Sequence, residues 1–335
     1  MVRILGCLLG LSLWAGAAWG LPHLELKVWG SQPVRVVRLP SRVRLQLLKA
    51  TDGLQPLENL AFGMPIAING GFFNRLTQQP LGALRWQGQW WSSPILGRGV
   101  LAWNDQGEMR ISRLRWRGQV RAAGMDPIPV LTLNSGYVVP GVAAYTHHWG
   151  SRYVAQTDEE LVALMEQDRV VALYPTGRAG GSSFPLSRRQ WLLVARGWQA
   201  WQRLQDLSLG SQVVWSEQFD PPELEDFPHL LGAGPLLVAE GRVVLDAEWE
   251  RFQPAFARQR AARSALCLDN SLSLISVGAS QESLGLTLAE LANFLQQQGC
   301  RFALNLDGGS STTLIWQGQT LTSGSRIHNG LGVVP

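Results

Sequence analysis

Lysine is nearly missing from this 335-residue chain. Lys27 and Lys49 are the only two, so 27 of the 29 basic residues are arginine. Charge of either sign is sparse, at 16% of residues. No run of five or six like charges occurs. The net charge of +4 is therefore spread out and does not form the basic stripe of a nucleic-acid-binding protein. Cysteine is scarce too, at three residues. Beyond residue 20 no stretch has about 18 uninterrupted apolar residues, so no spanning helix is expected there. Several signatures are absent. There is no G-x-x-x-x-G-K-[ST] nucleotide loop, no G-x-S-x-G elbow and no H-E-x-x-H zinc motif. These absences count against nucleotide hydrolysis, serine esterase and metalloprotease chemistry. What is abundant is glycine (36), proline (18) and tryptophan (15), in a chain that is 46% hydrophobic. That balance excludes a disordered chain and favours strands and turns over a helical bundle.

Residues 1–20 read as an export leader, with 21–335 following as the mature chain. Arg3 precedes an apolar run from Ile4 to Trp14, too short to span a bilayer comfortably. Ala18-Trp19-Gly20 supplies small residues at cleavage spacing. An exported protein, periplasmic or secreted, with no stable membrane span after cleavage is the expectation. Cys7 lies in this leader, which leaves Cys267 and Cys300. In an oxidising compartment these two either pair or stay as separate buried thiols.

Alternating apolar and polar residues predict strands over 24–28, 34–39 and 43–48. Ile66–Phe73 reads as an apolar strand running into a Gly-Gly turn. Hairpin turns are expected at Gln87-Gly88 and at Asn104–Gly107. Two helices are predicted. One runs over 157–167, where Thr157 and Glu160 have capping-box spacing. The other runs over 287–298, boxed by Thr287 and Glu290 and stopped by Gly299, with Leu288, Leu291, Ala292 and Leu295 as its buried stripe. Many strands with few helices predict one α+β domain with a mixed, mostly β core.

The strongest local signal is Asn305-Leu306-Asp307-Gly308-Gly309-Ser310-Ser311-Thr312-Thr313-Leu314. An apolar strand delivers a carboxylate, then two glycines, then four hydroxyls. Glycines let successive amides converge on an anion, and Asp307 is a candidate acid, base or sugar ligand. The same residues also suit an Asp-Gly hairpin with a solvated polar face. Asn69-Gly70-Gly71-Phe72-Phe73 is the second signal. The Asn69 amide could fix a sugar hydroxyl or phosphate oxygen, and Asn-Gly is equally a common turn. Arg263, opening R-S-A-L-C-L, and Arg326, in S-G-S-R-I-H-N-G, offer forked donors suited to phosphate. The scattered histidines, His147-His148 included, show no metal-ligand spacing, so no metal or cofactor is expected.

Taken in order, these motifs resemble the phosphodiester glycosidase family. That family includes the N-acetylglucosamine-1-phosphodiester α-N-acetylglucosaminidases and bacterial members associated with exopolysaccharide biosynthesis. Asn69–Phe73 is similar to the family's N-G-G-[FY]-F, and Pro80-Leu81-Gly82 to its P-x-G. Asn134 with Tyr145-Thr146 and Trp149-Gly150 resembles its N…Y-T…G segment. Phe184–Gly197 resembles the segment ending in L-V-A-R-G. Gly232–Val238 with Gly241 resembles G-G-G-P-x-L-x-x-x-G, and Arg263-Ser264-Ala265 resembles R-T-A. Leu306–Leu314 resembles L-D-G-G-G-S-S-T-M, and Arg326 with Asn329 the terminal R…N. The likeness covers about residues 34–335. Two departures stand out. Ser310 replaces the third glycine, and Ser276–Ser283 lacks the arginine of a D-G-R-Q stretch found in many members.

The resemblance implies an exported hydrolase that cleaves a sugar-1-phosphodiester in envelope or exopolysaccharide metabolism. It implies Asp307, Asn69 and Arg263 as catalytic residues. Gly70, Gly71, Gly308, Gly309, Ser310, Ser311, Thr312, Thr313, Arg326 and Asn329 are implied as substrate-binding. Asp246, Glu248 and Asp269 are the candidates for a second carboxylate. The alternative is a non-catalytic glycan-binding protein of envelope or exopolysaccharide assembly. The tryptophans, clustered at 86–91 and 191–201, are mostly expected to pack the core, with some available to stack on sugar rings.

Overall fold

A computed structural model describes residues 21–51, 53–281 and 283–334. The expected leader over residues 1–20 lies outside them. The fold is mostly β with a few short helices. One seven-stranded sheet runs in the order His23–Trp29, Gln32–Arg38, Leu272–Val277, Arg263–Leu268, Phe302–Asn305, Leu236–Ala239, Arg242–Val243. Its pairings are antiparallel, as the sequence's alternating segments favour. A five-stranded sheet joins Gln319–Thr322, Leu314–Trp316, Ile66–Asn69, Asn329–Val334 and Arg44–Lys49. Buried leucines from both sheets, among them Leu47, Leu266, Leu304, Leu306, Leu314 and Leu331, share one apolar cluster.

The helix Leu288–Gln297 forms where the sequence predicts it. Thr287 and Glu290 make the reciprocal capping box, and Gly299 adopts φ +83°. Leu288, Leu291, Ala292 and Leu295 are buried against the first sheet with Ala265, Cys267 and Ala303. Cys267 and Cys300 form a disulfide 33 residues apart that ties strand Arg263–Leu268 to the end of this helix. Reducing it is expected to lower the unfolding free energy by about 3–4 kcal/mol through loop-closure entropy. Urea titration with and without reductant checks this, and coincident curves would refute it.

The helix predicted over 157–167 is absent. Leu161–Glu166 is a strand of a second seven-stranded sheet, paired on both sides by Arg169–Pro175 and Gln190–Arg196. Its run L-V-A-L-M is an apolar stretch whose period does not separate a buried strand from a helix. The Glu160 side chain does reach back to the Thr157 amide, at 3.0 Å. The Glu160 amide, however, donates to Thr176 Oγ1 at 2.9 Å, outside any helix. Pairing with neighbouring strands has overridden a local capping signal.

Candidate active site

Strands Phe302–Asn305 and Ile66–Asn69 belong to different sheets, and their ends meet. The chain leaves Asn305, crosses the end of the other sheet and re-enters as Leu314–Trp316, where Leu314 pairs with Ile68. Residues 306–313 are therefore a crossover between sheets and not an Asp-Gly hairpin.

Asn69 pins this crossover. It is fully buried. Its Nδ2 donates to the Asp307 carbonyl at 2.7 Å. Its Oδ1 accepts from Ser264 Oγ at 2.6 Å and from the Thr313 amide at 3.0 Å. The Asp307 amide donates to the Gly70 carbonyl at 3.0 Å. Asn329, also buried, accepts from the Gly71 amide through Oδ1 at 2.7 Å. Its carbonyl accepts from the Gly70 amide at 2.9 Å. The side-chain amides of Asn69 and Asn329 are thus consumed within the fold, which removes the direct ligand contact expected of them. Gly70 and Gly71 are buried as well. A Cβ on Gly70 would strike the Asn329 amide, and one on Gly71 the Gly232 carbonyl. Their smallness permits the close approach of Asn329 and of the Gly232 carbonyl.

The cluster of converging amides expected after Asp307 is also absent. The Gly308 amide donates to Asp307 Oδ1 at 3.0 Å. That of Gly309, at φ +58°, goes to the Ala262 carbonyl at 2.7 Å. The Ser311 and Thr312 amides close local turns onto Gly308 and Gly309. Thr312 and Thr313 are buried behind the crossover. Asp307, Gly308, Gly309 and Ser310 are at least partly exposed, and Ser311, though buried, borders the same side.

These five line an open cleft of about 860 Å³. Arg263 and Arg326 line it too, so the structure brings together residues up to 63 positions apart in the chain. Three further arginines, Arg75, Arg98 and Arg251, share the walls, with Phe72, Phe73, Phe252 and Phe256. Sequence reading missed these arginines because no motif surrounds them in a chain with 27. No tryptophan among the described residues lines the cleft, and its aromatic surface is phenylalanine. Phe72, Phe252 and Phe256 form a ring cluster with centroids 5.1 to 5.8 Å apart. Arg98 lies 3.9 Å above Phe252, and Arg263 5.2 Å above Phe256.

Asp307 is the one carboxylate among the described residues of the cleft wall. Burial pushes it up to about 6, against hydrogen bonds from Ser311 and the Gly308 amide and the charge of Arg75, which pull it down. Asp269 is exposed in a turn, where it accepts from the Ser271 amide. Asp246 and Glu248 line a neighbouring groove instead. None of the three candidates for a second carboxylate reaches the cleft.

Arg263 is a buried cation with no carboxylate within 4 Å among the described residues. Burial pushes it down to about 10, which leaves it charged at neutral pH. Its Nε donates to the Leu286 carbonyl at 2.8 Å. Its Nη2 donates to the carbonyls of Phe256 and Gln259, at 3.2 and 2.5 Å. It therefore braces the Phe256 wall as well as lining the cleft. Arg326 is exposed at the rim. Five arginines around one raised carboxylate make the cleft suited to an anion whose remaining part is apolar or sugar-like.

Residues 183–334 match the family model described as phosphodiester glycosidase. No functionally curated protein matches the chain. Among solved structures, a hypothetical protein from Synechocystis is 37% identical, with a TM-score of 0.88 over 93% of this chain. The present chain spans 61% of that protein's length. A candidate exported protein from Burkholderia pseudomallei is 19% identical, with a TM-score of 0.71 over 91% of this chain and 74% of that one, and shares the fold. The zebrafish N-acetylglucosamine-1-phosphodiester α-N-acetylglucosaminidase catalytic domain, auto-inhibited by its pro-peptide, is 15% identical. Its TM-score is 0.46, over 94% of this chain and 82% of that one.

Proposed function

Through residues 183–334 the chain belongs to the phosphodiester glycosidase family, and on that premise we propose that it is an exported hydrolase of a sugar-1-phosphodiester. The observation that carries this reading is the charge pattern of the cleft, with Arg75, Arg98, Arg251, Arg263 and Arg326 around Asp307. The leader-like residues 1–20 and the Cys267–Cys300 disulfide support export to an oxidising compartment.

In this reading the arginines bind the phosphodiester and the phenylalanine wall faces the sugar. The phosphomonoester expelled from a sugar-1-phosphodiester is a good leaving group, so one carboxylate suffices where ordinary glycosidases need two. At neutral pH most of the Asp307 population is ionised, since its value is about 6. It accepts a proton from water as that water's oxygen bonds to the anomeric carbon. The bond between that carbon and the phosphate oxygen breaks, and its electron pair leaves with the phosphomonoester. Asn69 is a positioning residue that holds Asp307 by its main chain. Asn329 holds the Gly70-Gly71 turn in the same way.

The test is hydrolysis of the methyl phosphodiester of N-acetylglucosamine against a neutral aryl N-acetylglucosaminide. Turnover of the phosphodiester with release of methyl phosphate is expected, and turnover of the neutral glycoside alone would overturn the reading. Arg326→Ala at the exposed rim is expected to lower kcat/KM for the phosphodiester about tenfold, as loss of one charge-assisted contact does. It leaves any neutral-glycoside rate unchanged, and an equal fall on both substrates would exclude phosphate contact. The single carboxylate of the cleft also favours, as a second reading, a glycan-binding protein without turnover. Binding of the phosphodiester with no product after prolonged incubation would select it.

A further inference from the structure

The cleft does not end at its own walls. Arg251 lines both it and a neighbouring groove of about 650 Å³. Leu96 and Arg115 line that groove and also a third hollow of about 380 Å³, walled by Leu131, Thr132 and Tyr137. The three hollows thus share residues in series. We propose that they form one binding groove and that the ligand is an oligomer of sugars joined by phosphodiesters, whose second phosphate lies between Arg251 and Arg115. This inference rests on the functional reading above for the identity of the charged group, and it extends the ligand beyond one sugar phosphate.

Charge and support both favour it. Arg115 and Arg251 are exposed, and neither has a carboxylate within 4 Å among the described residues. Arg115 is nevertheless held in place. The Trp249 indole lies 5.0 Å from its guanidinium and 4.8 Å from that of Arg113, which is itself bonded to buried Glu250 at 3.1 Å. A fixed, unpaired guanidinium has already lost much of the side-chain entropy that anion binding costs. The groove also retains local strain. Leu96 and Arg251 adopt φ +56° and +58°, a backbone conformation disfavoured for residues with a Cβ and kept most often at functional sites. Asp246 and Glu248 complete the wall, and Asp246 Oδ1 is turned toward the Trp249 amide at 2.8 Å. Cations alternating with carboxylates suit a chain in which phosphates alternate with sugar hydroxyls.

Calorimetry of the full protein separates the possibilities. The probes are the methyl phosphodiester of N-acetylglucosamine, a trimer of N-acetylglucosamine joined by 1,6-phosphodiesters, and a neutral trimer with glycosidic links. The phosphodiester trimer is expected to bind at least tenfold tighter than the monomer. Arg115→Ala and Trp249→Ala are each expected to abolish most of that gain and leave monomer affinity unchanged. Equal affinity for trimer and monomer would overturn the proposal, as would a gain that survives in Arg115→Ala. An equal gain for the neutral trimer would overturn the second phosphate site. A trimer that binds through the groove but is never cleaved would remove the hydrolase reading and leave the groove standing.

Discussion

Replacing Asp307 by Asn is expected to slow phosphodiester hydrolysis by about 10²–10⁴-fold, the usual contribution of a positioned general base. The same change is expected to stabilise the protein at neutral pH. Asp307 sits at about 6 in the folded state, above the ordinary 3.8, because burial penalises its charge. A carboxylate with a raised folded value imposes no cost below its unfolded value. The cost grows between about 4 and 6 and is complete above that. A shift of about two units corresponds to roughly 3 kcal/mol. Asn carries no charge and has no such cost. The stability of Asp307→Asn relative to wild type should therefore rise by roughly 3 kcal/mol between pH 4 and pH 7. Urea unfolding at the two pH values measures it, and a pH-independent difference would show that Asp307 is not held up by burial. In the wild type, kcat/KM should fall about tenfold per unit as pH drops below about 6, since only the ionised form accepts the proton. A profile level down to pH 4 would exclude the base role.

Glu160→Ala is expected to cost about 3–5 kcal/mol, far from the cleft and without direct effect on chemistry. Glu160 and Arg196 are both buried, and Arg196 Nε donates to Glu160 Oε1 at 2.8 Å. Arg196 Nη2 donates to the hydroxyls of Tyr145 and Tyr153, both at 2.8 Å. The Tyr153 hydroxyl donates to Glu160 Oε2 at 2.6 Å. Glu160 Oε1 also accepts the amides of Gln156 and Thr157. Burial pushes both tyrosine hydroxyls up, so they stay protonated and able to donate. Removing the carboxylate leaves a buried guanidinium without its counter-charge, the costly half of breaking an internal ion pair. Glu160→Ala combined with Arg196→Leu should cost at least 2 kcal/mol less than the sum of the single changes, because the second removes the stranded charge. A loss under about 1 kcal/mol for Glu160→Ala would mean that water reaches the network.

The two cases differ in how much the sequence shows. The capping box at Thr287, the Gly299 stop and the buried stripe of helix Leu288–Gln297 are local signals, and no tertiary contact opposes them. Hairpin turns at Gln87-Gly88 and Asn104–Gly107 are legible for the same reason. Thr157 and Glu160 carry the same spacing, yet Glu160 is drawn inward by Arg196, a residue 36 positions on in the chain. No window of sequence contains that partner. The tryptophans behave similarly. Trp90 and Trp116 both donate to Glu217 and pack together, so their polar edges serve the core and not a sugar.

Local patterns in the sequence are enough to mark a mostly β chain, to place Asn69, Arg263, Asp307 and Arg326 in an ordered set of motifs, and to match residues 183–334 to the phosphodiester glycosidase family model. They are enough because strand period, turn chemistry and motif order are properties of neighbouring residues. Which motif residues face the cleft, and which hold it up, follows from the packing of the sheets. Asn69 spends its amide between two sheets, Asn329 spends its own on the Gly71 turn, and Arg75, Arg98 and Arg251 reach the site from loops without any motif. Both outcomes depend on where two sheets end against each other. That is set by the burial of leucines hundreds of residues apart, which no local pattern encodes.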